Sequence, residues 1–144
     1  MDWFCALALQ RDSNEALLVK SDVLWESLKL IMNASVTIYM KRYPRAPTGH
    51  EIQFDGSPKD QAIISKHSVN DKGISAPVPI CSVTVAFKPP ILTATYSTKH
   101  APRAFTVGTS SEGYVNIFFK DEPIYLDHAV ALILRPVFFP ESPG

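Results

Sequence analysis

The 144-residue chain carries little charge and no net charge: 14 Lys and Arg balance 14 Asp and Glu, and charged residues make up 19%. With 46% apolar residues, it is no disordered polyelectrolyte. Nor is it basic throughout, as a nucleic-acid-coating protein is. Cysteine is nearly missing. Cys5 and Cys81 lie far apart among apolar neighbours and make no disulfide framework. They read as buried thiols, which points to an intracellular, reducing, cytoplasmic setting. The 6 glycines form neither Gly-x-x-x-x-Gly-Lys nor Gly-x-Gly, so the two common nucleotide cradles are absent. No apolar run reaches the ~18–20 residues that span a bilayer, and no membrane is expected. The run Trp3–Leu9 follows Asp2 and precedes Gln10-Arg11-Asp12. Without a basic start or a small-residue cleavage site it reads as structure, not as a signal. The 12 scattered prolines and the lack of heptads exclude a coiled coil.

What is present divides into a helical start, a punctuated middle and a strand-rich second half. Residues 3–10 and 15–20 flank the polar cluster Arg11-Asp12-Ser13-Asn14 and predict a hairpin, with one long helix as the competitor. Leu24, Leu28 and Ile31, widened by Trp25 and Met32, predict a helix over 22–33 with Ser21 as its N-cap. Val36, Ile38 and Met40 predict one face of a strand over 36–41. Residues 44–77 are rich in Pro and Gly, and Ser57-Pro58-Lys59-Asp60 predicts a short helix through about His67. Strands are expected over 80–88 and 91–98, turned by Pro89-Pro90, and over 105–109 and 114–120, joined by Ser110-Ser111-Glu112-Gly113. Leu126, Ala129, Val130 and Ile133 predict a helix over 125–135 stopped by Arg135-Pro136, although Ala129–Leu134 also suits a buried strand.

The fold class expected is α+β, a mainly antiparallel sheet with two or three amphipathic helices on one face; a β-sandwich with peripheral helices is the alternative. Residues 1–136 read as one globular domain and 137–144 as an extended Pro/Phe-containing tail.

Catalytic and metal signatures are weak. The four histidines show no ligand spacing, and His50-Glu51 with Asp55 is only a loose loop grouping. Asp127-His128 are adjacent on a helix and so do not face each other. Cys81 sits at an inward-looking strand start, not in the electropositive, exposed site an activated thiol needs. No cofactor or metal is implied. Tyr114–Phe119 lacks the basic-Gly-aromatic opening of an RNA-recognition strand.

Charge is nevertheless segregated. Residues 27–50 and 72–111 each hold four basic side chains and no acid, whereas the last third is acidic. If the 36–43 and 91–98 segments are neighbours, Lys41, Arg42, Arg45, Lys99 and Arg103 share a rim with Tyr39, Tyr43 and Tyr96 interleaved. All of these but Tyr43, together with Phe138 and Phe139 in the tail, form the candidate partner-binding set of nine residues. Tyr and Arg are what protein interfaces use as anchors. The expectation is a non-enzymatic protein–protein interaction module, a small accessory, assembly or inhibitor-type subunit that binds a larger protein or itself. Binding of single-stranded nucleic acid on the basic, aromatic rim is the second reading. A small enzyme using Cys81, His50 or His128 is the third.

Overall fold

Neither glycine nor proline occurs before Pro44, so nothing interrupts a helix until there. In the computed structural model, which describes residues 3–109 and 114–140 with side chains from Ser21 onward, α1 runs from Trp3 to Arg42. The expected hairpin over 3–20 is therefore helix, because its polar cluster contains neither glycine nor proline to break one. Ser21 lies inside the helix and caps nothing.

The strand expected over 36–41 is helix as well. Val36 and Met40 do point the same way, but as neighbours one helical turn apart, and Ile38 is 67% exposed. β-branched residues lower helix propensity by only a few tenths of a kcal/mol each, less than burial of Val36 restores. The Ser35 hydroxyl donates to the Ile31 carbonyl (2.8 Å) and that of Thr37 to Asn33 (3.1 Å), which absorbs their polarity within the helix.

Seven strands follow: β1 His50–Asp55, β2 Gln61–Ser68, β3 Cys81–Lys88, β4 Ile91–Tyr96, β5 Arg103–Thr109, β6 Val115–Phe119 and β7 Glu122–Ile124. They form one antiparallel sheet in the order β1-β2-β3-β4-β5-β6-β7. The helix α2, Leu126–Phe138, closes the described chain. The protein is thus mixed α+β, with two helices and a single sheet among the described residues rather than the two sheets of a sandwich.

The helix expected after Ser57 is instead a turn and then β2. Asp55 Oδ1 accepts from the Ser57 amide (3.0 Å) and hydroxyl (2.7 Å), a side-chain turn that competes with helix initiation. Ile63-Ile64 then pair on both sides, with β1 and β3. Two-residue turns join β3 to β4 at the cis Pro89-Pro90 bond and β6 to β7 at Lys120-Asp121. Lys120 (φ 51°) and Asp121 (φ 66°) both adopt positive φ, the mirror-image turn that matches strand twist. The hairpin loop expected over 110–113 and the end of the tail, 141–144, lie outside the described residues.

One alternate set of strand residues is buried: Ile52, Ala62, Ile64, Cys81, Val83, Val85, Phe87, Leu92, Ala94, Tyr96, Phe105, Val107 and Ile117. The α1 positions Leu24, Leu28, Met32 and Val36 join the same core, as do Ala129, Val130, Ile133, Leu134 and Val137 of α2. Trp25 stacks on Phe87 (centroids 5.5 Å) and donates its indole N–H to the Lys59 carbonyl (2.8 Å).

Candidate protein-binding surface

Eight of the nine candidate residues divide into two groups. The first surrounds α2, which does not stop at Arg135-Pro136 but continues through the buried Pro136 to Phe138. Residues 137 and 138, expected in the extended tail, are therefore helix. Proline has no N–H, so the carbonyl four residues earlier, that of Leu132, loses its helical donor. Arg103 supplies one: its Nη1 donates to the Leu132 carbonyl at 2.7 Å. The Tyr96 hydroxyl donates to the Ile133 carbonyl at 2.7 Å and lies 3.4 Å from that of Leu132.

Nearer the end of α2, the Cys81 thiol approaches the Val137 carbonyl (3.6 Å) and the buried Lys66 ammonium donates to that of Phe138 (3.0 Å). These two carbonyls lie in the last turn, where no amide of the helix itself can reach them. An ammonium there also balances the negative end of the helix dipole. Side chains of β2, β3, β4 and β5 thus cap one helix. Burial pushes the Tyr96 phenol up to about 12, against a smaller opposing pull from the Arg103 charge. With its ring 8% exposed, Tyr96 offers no face on which a base stacks. His100 packs beside it (4.7 Å), and Lys99 lies exposed in the following loop.

The second group gathers where the ends of α1 and α2 meet. The Tyr39 ring contacts those of Tyr43 (5.0 Å), Phe138 (4.7 Å) and Phe139 (5.9 Å), and Tyr43 meets Phe139 edge-on (6.2 Å). Tyr43 is 48% and Phe139 41% exposed. Lys41 and Arg42 are exposed in the last turn of α1, with the Arg42 guanidinium 5.9 Å from the Tyr43 ring centre. Phe138 and Phe139 continue into a groove of about 300 Å³ lined by Ile31, Ser35, Val130, Ala131 and Leu134, with Asp127 and Arg135 also in its wall. The groove is an addition that the sequence pattern did not single out.

Arg45 belongs to neither group. Its Nε pairs with Glu51 (2.7 Å) and its Nη2 donates to the Gly73 carbonyl. Glu51 also accepts from Ser75 (2.7 Å), and this bond, more than the Arg45 charge, holds its carboxyl below the usual range.

The enzymatic candidates are dispersed. His50 and Asp55 occupy opposite ends of β1, and the Asp55 carboxylate serves Ser57, whose bonds lower its pKa. His128 is exposed on α2, with its amide bonded to Asp127 (2.9 Å). Cys81 is buried. Among the described residues no group of three or more His, Cys, Asp or Glu is placed to hold a metal ion, and no helix is long and apolar enough to cross a membrane. Comparison with protein-family models, with curated proteins and with solved structures finds no match.

Proposed function

We propose that the protein is a non-enzymatic protein-binding module, an accessory, assembly or inhibitor-type subunit that docks a larger partner at the converging ends of its two helices. In this reading both helices cover one face of the sheet and bring their C-termini together. The observation that carries it is the aromatic cluster of half-buried Tyr39 and Phe138 with exposed Tyr43 and Phe139, continuous with an apolar groove. Aromatic residues beside arginine supply most of the binding energy in protein interfaces. Lys41, Arg42 and Arg135 give the site a cationic fringe, which favours a partner segment with an apolar anchor and flanking acids. Part of that charge offsets the negative ends of the helix dipoles; the remainder faces outward. A reducing, cytoplasmic setting fits the buried Cys81 thiol.

The test is affinity capture from the natural source with the wild-type chain and with Phe139→Ala and Arg42→Glu variants. A specific partner is expected to bind the wild type and to lose about tenfold or more in affinity with Phe139→Ala, the cost of an interface anchor. A partner held equally by both variants would refute the assignment. Capture of single-stranded nucleic acid instead, weakening steeply with salt, would replace it.

A further inference from the structure

We propose that Ser65 is an activated nucleophile, that His67 is its general base, and that the pair accepts an acyl group from small activated esters. The two residues are i and i+2 on β2, so their side chains leave the strand on the same side. His67 Nδ1 lies 2.8 Å from the Ala76 carbonyl, and its Nε2 lies 2.8 Å from Ser65 Oγ. These two distances fix the proton positions. A carbonyl only accepts, so Nδ1 carries the proton; in neutral imidazole Nε2 is then a lone pair. Ser65 Oγ must therefore donate to Nε2. Nucleophile, base and orienting acceptor stand in the sequence that activates a serine.

Accessibility follows the same division of labour. The imidazole is 6% exposed and held at both nitrogens, while the Ser65 side chain is only partly covered. A charge stands beside the base. Glu51 is the cross-strand partner of His67, and its carboxylate is fixed by Arg45 and Ser75, both at 2.7 Å. Gln53 on β1 and Ser82 on β3 flank Ser65 as register partners, and their side chains carry hydrogen-bond donors. The strand amides, already paired in the ladders on both sides of β2, are not free to hold an oxyanion. Acylation is accordingly slower than in an enzyme with a dedicated oxyanion site.

The step balances without a co-reactant. Ser65 Oγ bonds to the ester carbonyl carbon as its proton passes to Nε2. The bond from that carbon to the leaving oxygen breaks, and the Nε2 proton goes to the leaving group. Ser65 and His67 leave β2 on the side opposite to Lys66, the residue between them that reaches the helix end, so the two proposals stand or fall separately.

The experiment treats the whole chain with p-nitrophenyl acetate and maps acetylated serines by peptide mass spectrometry over time. Ser65 is expected to be acetylated at least tenfold faster than the exposed Ser68 and Ser97, and His67→Gln is expected to remove that advantage while circular dichroism stays native. Labelling of Ser65 no faster than of Ser68 and Ser97 overturns the proposal, as does an advantage that survives in folded His67→Gln. If that variant does not fold, the wild-type ratio decides alone.

Discussion

Tyr96 and Arg103 turn their polar atoms inward onto the carbonyls of α2, whereas Tyr43, Arg42 and Phe139 stand outward at the helix ends. The residue types are alike and the work differs. What separates them is the local demand for hydrogen-bond donors. The Leu132 carbonyl lacks a helical partner because Pro136 has no N–H, and buried carbonyls without donors are costly. The end of α1, by contrast, reaches solvent at Tyr43, and water satisfies what the chain does not. An aromatic-plus-basic composition therefore does not by itself mark a binding site.

The comparison ranks the expected effects of mutation. Tyr96→Ala removes a buried ring and a cap together and is expected to cost about 3–5 kcal/mol, read by urea unfolding. Tyr96→Phe, which removes the hydroxyl alone, should cost about 1–2 kcal/mol. Arg103→Leu leaves the Leu132 carbonyl with only the distant Tyr96 hydroxyl and should cost about 1–3 kcal/mol. If either capping variant instead weakens partner capture at unchanged stability, the division fails.

Alkaline pH probes the same group. The Tyr96 phenol ionises at about 10 when unfolded and at about 12 when folded. Folding thus favours the neutral form, and its stabilisation is present below pH ~10 and lost as pH rises towards 12. The midpoint urea concentration of wild type should fall across that window more than that of Tyr96→Phe. At the helix ends the smallest changes are expected: Arg42→Glu and Phe139→Ala should each stay within about 0.5–1 kcal/mol of wild-type stability, while partner binding is lost.

Much of this architecture was legible. Strict alternation in β3 and β4, with Pro89-Pro90 between them, specifies a hairpin whatever surrounds it. Leu126, Ala129, Val130 and Ile133 likewise specify α2. Elsewhere local signals pointed the wrong way. Arg11-Asp12-Ser13-Asn14 resembles a turn but lacks a breaker. Val36–Met40 favours strand by composition, yet its contacts with α2 and β1 are made as helix. Ser57-Pro58 resembles a helix start, and Asp55 diverts it.

The candidate site was half legible. Lys41 and Arg42 lie in the last turn of α1 and Phe138 in that of α2, but no sequence signal pairs the basic residues with the tail. Arg103 was recognisable as a cap only once α2 was known to run through Pro136. The partner of the Lys66 ammonium is invisible to a binary pattern, because that carbonyl is contributed from 72 residues away. Ser65 and His67 escaped because a segment read as helix does not put i and i+2 together.

A double-mutant cycle between Arg103 and Pro136 tests the division most directly. Pro136→Ala restores an amide that can donate to Leu132, and the guanidinium then becomes largely redundant. The account predicts that Arg103→Leu costs about 1–3 kcal/mol in the wild-type background and less than half as much in Pro136→Ala. An equal cost in both backgrounds would contradict it, for Arg103 would then owe its place to something other than the carbonyl that proline leaves open.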